Sequence, residues 1–492
     1  MVDGLPASGR GALFIGGSWR PPDGGRYTTV VDPSTGAALG EAPVASAEEA
    51  RAAVDAAGEA EERWGSVPGH ERARLLRAVA DRLLADRETI ARLIAREVGK
   101  PIVEARTEAD RASGVFALAA EEIRHLGGES FPADAYERPA GNEHRFLFTV
   151  RDPVGVVVAI GPFNFPLNLI AHKIAPALAA GNPVVAKPTS AAPFTAIRLA
   201  EHLAAVGLPA GAFNLVVGPG GPVGAALVEH PRTRLVTFTG STEVGRGIAE
   251  RAGRHAKRVI LEMGGLDPLV VLDDAPIDAA VAAAVRGAFA YSGQVCTASK
   301  RLLVQSTVAD DFARRLAARA NALKVGPALE ETTEVGPVID RSAVERLGTM
   351  VDDARDRSAV VLAGGHPVRV GGGTFYAPTV LDAVPESARV VREEPFGPIA
   401  PVVRFSDVED AVRIANSTSY GLQAAVYTRD LAKGFALAKR IRAGGVHLND
   451  PTNLRWDALP FGGVRESGLG REGLRYAMQE MTEVKLISVN YA

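Results

Sequence analysis

The feature that most constrains the fold is a regular alternation of short apolar strands and amphipathic helices along residues 154–261. The pattern predicts strands at 154–160, 183–186, 214–217, 235–238 and 258–261, and helices at 167–180, 194–206, 221–229 and 243–252. Parallel strands joined by crossover helices form a doubly wound sheet, which binds ligands beyond the carboxyl ends of its strands. We therefore expect an α/β fold with a Rossmann-like sheet and a nucleotide site.

Further helices and strands surround this sheet. Before it, amphipathic helices are predicted at 46–64, 69–85, 87–98 and 102–126, and Ser46 with Glu49 forms a capping box at the first of them. A second α/β region is predicted to begin near residue 264, with a helix at 279–291 and strands at 269–272, 301–304, 400–403 and 424–427. Segments 145–150 and 483–489 alternate in the way that predicts β-strands. An isolated strand needs the edge of another strand to pair with, and we expect these two segments to pair across subunits.

Composition argues against several classes of function. The 492 residues carry 55 Lys and Arg against 58 Asp and Glu, a net charge of -3, so neither a nucleic-acid surface nor an anionic membrane partner is indicated. The most apolar segment, 154–186, contains prolines and polar residues that a membrane helix would not tolerate. The first twenty residues lack the apolar core of a secretory signal, so a cytoplasmic location is expected.

Cys296 is the single cysteine of the chain, so it cannot form an intramolecular disulfide. Free cysteines are most often small buried core residues. Here, however, a predicted helix gives way to Gly293 and polar residues, whereas a core thiol would have Leu, Ile and Val beside it. A thiol after such a turn can be reached by a ligand, and nearby helical N–H dipoles would lower its pKa. We therefore treat Cys296 as a candidate nucleophile.

Another segment has the features of a phosphate site. The predicted strand 235–238 runs into Gly240 and Ser241 and then into a helix, whose N-terminus favours anions. This spacing alone is weak, since many turns share it. A second glycine-rich segment, 218–224, also follows a strand, and we interpret it as a plain loop.

Three further positions offer acid–base or oxyanion chemistry. Glu262 ends an apolar strand before two glycines, and it is either a helix cap or surface charge, or a buried carboxylate whose raised pKa makes it a general base. Asn164 lies between prolines just past a strand end, where its amide N–H groups are suited to stabilise an oxyanion. Glu394 and Phe396 place a carboxylate and an aromatic ring in a proline-rich loop.

Taken together, the chain resembles the aldehyde dehydrogenase superfamily along almost its whole length. The resemblance rests on seven motifs in the family's order and spacing: Pro162-Phe163-Asn164-Phe165-Pro166, Lys187-Pro188, Phe238-Thr239-Gly240-Ser241, Leu261-Glu262-Met263-Gly264-Gly265, Gly293-Gln294-Val295-Cys296, Glu393-Glu394-Pro395-Phe396-Gly397-Pro398 and Pro460-Phe461-Gly462-Gly463. It implies a dinucleotide-binding domain at 1–128 and 150–262, a catalytic domain at 263–465, and small β oligomerisation segments at 129–149 and 466–492.

The resemblance also implies a mechanism. Cys296 attacks the aldehyde carbon to give a thiohemiacetal, whose oxyanion is held by the Asn164 amide and the Cys296 backbone N–H. Hydride transfer to a nicotinamide leaves a thioester, and Glu262 activates the water that releases the acid. One sulfur thus serves both oxidation and hydrolysis.

For the cofactor, the resemblance implies NAD or NADP. The family pattern assigns Lys187 to the adenosine ribose, Gly240 and Ser241 to the pyrophosphate, Val244 to the adenine, and Glu394 with Phe396 to the nicotinamide ribose. The sequence departs at Ser190, where many NAD-preferring relatives carry a Glu that would repel a 2′-phosphate. It departs again at Leu266 and Asp267, where relatives often have Lys and a small polar residue, which puts no catalytic step in doubt. We expect use of either cofactor.

For the substrate, the positions that match the family's aldehyde tunnel are Arg111, Phe165, Asn168, His172, Val295 and Arg455. An Arg at a tunnel entrance pairs with carboxylate, phosphate or phosphonate groups, which favours a small polar or anion-bearing aldehyde. The alternative is that Arg455 is a surface residue paired with Asp450 or Asp457. The segment looks similar to the lactaldehyde, glyceraldehyde and phosphonoaldehyde dehydrogenase branch of the family.

Two other functions stay open. One is an acylating semialdehyde dehydrogenase that passes the thioester to coenzyme A, which the presence of Glu262 disfavours. The other is a non-catalytic, binding or structural use of the fold, which Cys296, Glu262 and Asn164 together disfavour. The resemblance further implies a homodimer or homotetramer, and we predict no metal, nucleic-acid or membrane partner.

Overall fold

The computed structural model describes residues 4–5 and 8–492 of the chain. Its N-terminal part consists of two antiparallel hairpins and four helices. Their bounds are β1 (Leu13–Ile15), β2 (Ser18–Arg20), β3 (Tyr27–Val31), β4 (Ala38–Pro43), α1 (Ala47–Gly65), α2 (Gly69–Ala85), α3 (Arg87–Val98) and α4 (Ile102–Glu122). The predicted capping box is present, since the Ser46 hydroxyl accepts from the Glu49 N–H and the Glu49 carboxylate accepts from the Ser46 N–H.

The middle of the chain alternates strands and helices as predicted. The elements are β5 (Ser130–Phe131), β6 (Arg145–Pro153), β7 (Val156–Ile160), α5 (Asn168–Ala179), β8 (Val184–Lys187), α6 (Pro193–Ala205), β9 (Phe213–Leu215), α7 (Gly220–Glu229), β10 (Thr233–Thr239), α8 (Thr242–Gly253) and β11 (Arg258–Glu262). The glycine-rich segment 218–224, interpreted as a plain loop, instead contains the first turn of α7.

The remainder forms a second α/β region and a terminal segment. The elements are β12 (Asp267–Val271), α9 (Ile277–Phe289), β13 (Ser299–Gln305), α10 (Ser306–Ala322), α11 (Arg341–Asp356), β14 (Val360–Ala363), β15 (Pro367–Val368), β16 (Phe375–Tyr376), β17 (Thr379–Asp382), α12 (Arg389–Arg392), β18 (Ile399–Phe405), α13 (Val408–Ala415), β19 (Gln423–Tyr427), α14 (Leu431–Arg440), β20 (Gly445–Leu448), β21 (Gly468–Leu469), α15 (Leu474–Glu480) and β22 (Thr482–Asn490).

The first sheet has the strand order β2-β1-β9-β8-β7-β10-β11-β21, and its central strands are parallel. Successive residues of a strand face opposite sides of a sheet. The four residues from Val156 to Ala159 in β7 are all fully buried, so both faces of the sheet are covered. This arrangement confirms the predicted α/β fold with a doubly wound sheet.

The second sheet has the order β14-β17-β18-β13-β12-β19-β20, and only β14 among these strands is antiparallel to its neighbour. One hydrophobic cluster contains Val270 and Leu303, while another contains the strand neighbours Leu269 and Leu302. Because neighbouring residues of β12 and β13 belong to different clusters, this sheet is also packed on both faces. Among the described residues, no helix combines the length and hydrophobicity that a transmembrane span requires.

The C-terminal strand finds its partner within the same chain. β22 pairs antiparallel with β6 from Thr482 opposite Pro153 to Asn490 opposite Arg145, and β5 lies on the other side of β6. Segments 145–150 and 483–489 therefore pair with each other within one chain, and the expectation that they pair across subunits stays a prediction. The predicted domain boundaries stay a prediction, although β21, in the predicted segment 466–492, pairs with β11 of the first sheet.

Candidate active site

A cavity of about 620 Å³ opens where β7, β8, β10 and β11 end side by side. Cys296 and Asn164 lie in its wall. So do all the residues predicted to bind the cofactor, which are Lys187, Ser190, Gly240, Ser241, Val244, Glu394 and Phe396. The fold thus brings together, in one cavity, residues that are spread over nearly half of the sequence.

Cys296 lies just before β13 and is partly exposed. Burial raises the pKa of its thiol to about 12, and although Lys300 opposes this shift, Asp267 and Glu394 add to it. The expectation of a lowered pKa is wrong, because burial outweighs the opposing effect of Lys300, and the element that follows the thiol is a strand, not a helix. With this raised pKa, the Cys296 thiol is protonated at neutral pH, and it must lose its proton before it can act as a nucleophile.

The turn before Cys296 is strained and firmly held. Tyr291, Ser292 and Gly293 have consecutive φ values of 45°, 55° and 68°, a left-handed conformation that side chains rarely adopt. The Tyr291 hydroxyl donates to the Val98 carbonyl and the Ser292 hydroxyl to the Gly336 carbonyl, each at 2.8 Å. Strain of this kind persists only where the surroundings fix it, so the position of the Cys296 loop is well determined.

Asn164 follows β7 and is only 3% exposed. Its Nδ2 donates to the main-chain carbonyl of Gln294 at 3.0 Å, and its Oδ1 accepts from the Phe165 N–H at 3.2 Å. A side-chain amide has two N–H donors. The bond to Gln294 uses one of them, so among the described residues the second N–H of Asn164 is free.

Glu262 ends β11 and is only 3% exposed, which excludes its alternative role as a cap or surface charge. Among the described residues, neither carboxylate oxygen has a hydrogen-bond partner. Burial raises the pKa of Glu262 well above its usual range, and the nearby Glu472 carboxylate adds to the shift. A carboxyl group in this state is suited to act as a general base near neutral pH.

A charged cluster lies beside Glu262. It consists of Arg111, His172, Lys173, Arg455, Asp457 and Glu472. Glu472 is 2.6 Å from Lys173 and 3.0 Å from Arg455, while Asp457 is 2.6 Å from Arg111 and 2.9 Å from His172.

The surroundings of each acidic or basic group in the charged cluster determine whether that group is ionised at neutral pH. Burial opposes ionisation of Glu472, but Lys173 and Arg455 hold its pKa at about 2. Burial likewise opposes ionisation of Asp457, and hydrogen bonds from His172 and Arg111 hold its pKa below the usual range. The pKa of His172 is lowered by burial and then by Arg455. Asp457 and Glu472 are therefore ionised at neutral pH.

Three of the six substrate candidates, Arg111, His172 and Arg455, belong to the charged cluster. The others are not members of it: Phe165 contacts the Lys100 ammonium, which is 3.5 Å from its ring centroid, and Asn168 and Val295 are buried. Of the residues that the structure describes, none of the six lines the 620 Å³ cavity.

The alternative for Arg455, a surface residue paired with Asp450 or Asp457, is wrong about the surface, because the side chain is only 10% exposed. The pairing with Asp457 is present at 3.9 Å, and a shorter ion pair joins Arg455 to Glu472 at 3.0 Å. The guanidinium also lies over the Phe461 ring, 3.9 Å from its centroid. Packing against Phe461 holds Arg455 inside the protein.

The cavity fits a dinucleotide. Among the residues that the structure describes, Lys187 donates only to the Pro188 carbonyl, at 3.3 Å, and burial lowers its pKa to about 8. Thr239 has a buried hydroxyl without a partner among the described residues. The Ser241 hydroxyl caps α8 by accepting from the Val244 N–H at 3.4 Å, and both residues lie in the cavity wall, where a helix N-terminus favours anions. Val244 is 53% exposed and offers an apolar surface to a base.

Sequence reasoning missed several residues of the site. Thr189, Asp340, Ser342 and Arg346 also line the cavity. A sequence signal was present for the last three. Asp340 has the residue type of a helix N-cap, and Ser342 and Arg346 are four residues apart, so they lie on the same face of α11. By contrast, nothing in the local sequence indicated that Lys300 pairs with Glu394, at 2.9 Å.

Comparison with known proteins gives a consistent result. The model of the aldehyde dehydrogenase family matches residues 19–487. The chain is 38% identical over 480 residues to the NADP(+) succinate-semialdehyde dehydrogenase of Escherichia coli (98% of each chain), and 39% identical over 482 residues to the lactaldehyde dehydrogenase of Methanocaldococcus jannaschii (97% and 100%). A crystal structure of Staphylococcus aureus betaine aldehyde dehydrogenase with NAD+ matches with a TM-score of 0.93 at 33% identity (98% and 95%). The chain therefore belongs to the aldehyde dehydrogenase family.

Proposed function

We propose that this enzyme oxidises a small polar or anion-bearing aldehyde to its carboxylic acid with NAD or NADP. The observation that carries the proposal is that Cys296, Asn164 and the residues assigned to the cofactor share one cavity. The names of the relatives support the substrate class, since succinate semialdehyde carries a carboxylate and lactaldehyde a hydroxyl group.

The chain supplies the groups that the reaction needs. The deprotonated Cys296 thiol attacks the aldehyde carbon, and the free Asn164 N–H stabilises the oxyanion that forms. A bound nicotinamide dinucleotide supplies the hydride acceptor. The acyl group then remains on the sulfur as a thioester, and Glu262 takes a proton from the water that hydrolyses it.

Both cofactors are compatible with the adenosine end of the cavity. Ser190 donates its hydroxyl to the Gly218 carbonyl at 3.1 Å and puts no carboxylate beside Lys187. A ribose 2′-phosphate therefore meets a buried ammonium without repulsion from position 190. The relatives agree, since the Escherichia coli enzyme is named for NADP(+) and the Staphylococcus aureus structure contains NAD+.

The charged cluster favours an anionic substrate. Its three permanent cations, Arg111, Lys173 and Arg455, outnumber its two ionised carboxylates, and burial disfavours charging of His172. A carboxylate or phosphate on the substrate would balance the remaining positive charge. In addition, the Nε of Arg455 has no hydrogen-bond partner among the described residues, so this guanidinium retains a free donor.

Steady-state assays with a panel of small aldehydes test the proposal. Anionic and neutral aldehydes of similar size are compared with each cofactor, and the reduced nicotinamide is followed by its absorbance. Cys296→Ser keeps the shape of the side chain and should abolish turnover. Acid formation without coenzyme A supports hydrolysis, whereas turnover that requires coenzyme A would show an acylating enzyme, and inactivity with every aldehyde and cofactor would contradict the proposal.

A further inference from the structure

Lys300 connects the nucleophile loop to the far wall of the cavity. It lies in β13, four residues after Cys296, and its side chain is only 2% exposed. The ammonium is 2.9 Å from the Glu394 carboxylate and also donates to the Cys296 main-chain carbonyl. The next residue, Arg301, points to the other face of the sheet and donates to the Leu266 carbonyl at 2.8 Å. Lys300 thus contacts two residues of the cavity wall, Cys296 and Glu394.

The backbone around Glu394 is shaped for this contact. The Gly265 N–H donates to its Oε1 at 3.3 Å. A Cβ atom at Gly264 would lie 2.6 Å from its Oε2, so a larger residue there would displace the carboxylate. The Glu394 side chain, 18% exposed, is therefore held between the glycine backbone and the Lys300 ammonium.

We propose that Lys300 is a positioning residue that fixes the Glu394 carboxylate against the Cys296 main chain and provides the cationic field for the Cys296 thiolate. Its effect on cofactor binding rests on the proposed function, in which Glu394 binds the nicotinamide ribose. Its effect on the thiol does not, because thiol reactivity is measurable without substrate or cofactor.

The charges that face Cys296 set the direction of the expected effect. They are Lys300 from β13, Asp267 from β12, Glu394 from the loop after α12, and Arg455 from the loop after β20. Lys300 and Arg455 favour the thiolate, whereas Asp267 and Glu394 disfavour it. Neutralising Lys300 leaves both carboxylates opposed by Arg455 alone, so the thiol pKa must rise further. Below that pKa, each unit of increase lowers the thiolate fraction tenfold.

Alkylation of the single cysteine by iodoacetamide reports this effect without ambiguity, because no other thiol is present. We expect Lys300→Gln to slow alkylation about tenfold at each pH from neutral to mildly alkaline, as for a rise of about one pKa unit. The variant should also raise KM for the cofactor by more than it lowers kcat. Lys300→Arg keeps the charge and should restore both readouts. Wild-type alkylation rates and cofactor KM in Lys300→Gln would overturn the proposal.

Glu394→Gln tests the pair from the other side if Lys300→Gln does not fold. Without the Glu394 carboxylate, Asp267 alone opposes Lys300 and Arg455 at the thiol, so alkylation should become faster than in the wild type, and an unchanged rate would overturn the proposal. If the wild-type enzyme oxidises no aldehyde, the proposed function fails, but the alkylation profile still decides the role of Lys300.

Discussion

The side-chain amide of Asn164 donates a hydrogen bond to the main-chain carbonyl of Gln294 at 3.0 Å. This contact ties the loop after β7 in the first sheet to the Cys296 loop that leads into the second. It also orients the amide, so that its second N–H is fixed before substrate arrives. Preorganised donors of this kind are effective because they do not reorient during the reaction.

Asn164→Ala should lower kcat by about 100- to 1000-fold, because the oxyanion loses a preorganised donor. Steady-state kinetics measure the loss. Since the same change also removes the contact to Gln294, alkylation of Cys296 serves as the control for a displaced loop. Alkylation within a few-fold of the wild-type rate would assign the loss to the oxyanion, and an unchanged kcat would contradict the assigned role.

Glu262→Gln should separate acylation from hydrolysis. The amide cannot accept a proton from water, so the thioester on Cys296 accumulates. Rapid mixing should show a burst of about one reduced nicotinamide per Cys296, followed by a much slower steady state. A variant without a burst and with normal turnover would exclude Glu262 as the hydrolytic base.

The pH dependence of hydrolysis should follow the raised pKa of Glu262. Burial favours the protonated form, and Glu472 adds to this, whereas only the ionised form is a base. The rate of thioester hydrolysis should therefore rise with pH, and the midpoint of this rise should lie above the usual pKa of a glutamate. Glu262→Gln should not show this rise. A rise in the wild type with its midpoint at the pKa of an ordinary, exposed glutamate would contradict the inference that burial raises the pKa of Glu262.

Local sequence signals were sufficient for most of the secondary structure. Predicted helices 69–85 and 87–98 agree with α2 and α3, because the spacing of their apolar residues marks one buried face. The fourth helix was predicted to run to residue 126, but α4 ends at Glu122 and a short 3-10 turn follows. Frayed ends of this kind depend on packing that a local pattern does not contain.

The electrostatics of the site could not be predicted in the same way. The raised pKa of Cys296 depends on burial and on two carboxylates that are distant in sequence, Asp267 and Glu394, and the shortest ion pair of Arg455 is with Glu472, outside its own loop. The pairing of Lys300 with Glu394 joins residues 94 positions apart. Such contacts arise only from the tertiary fold, which brings together segments that are distant in sequence, so no local sequence pattern reports them.

Arg455→Ala should raise KM for an anionic aldehyde about 10- to 100-fold while leaving a neutral aldehyde of similar size nearly unaffected. A hydrogen bond to a charged group contributes roughly 1.5–3 kcal/mol, which corresponds to this range. Glu472 retains Lys173 at 2.6 Å, so it keeps a cation in the variant. Arg369→Ala, at an exposed position, is the matched control. Equal effects on both aldehydes would discard the anion-binding role.

Ser190→Glu should convert an enzyme that uses both cofactors into one that prefers NAD. The wild type is expected to keep at least about one hundredth of its NAD efficiency with NADP, because no carboxylate at position 190 repels the 2′-phosphate. In the variant, a carboxylate beside that phosphate should lower kcat/KM for NADP about 100-fold, or roughly 3 kcal/mol, and spare NAD. Ser190→Ala is the matched control, since it removes the hydroxyl that donates to the Gly218 carbonyl without adding charge. If Ser190→Ala lowers NADP efficiency as much as Ser190→Glu does, the discrimination comes from the hydroxyl and not from repulsion.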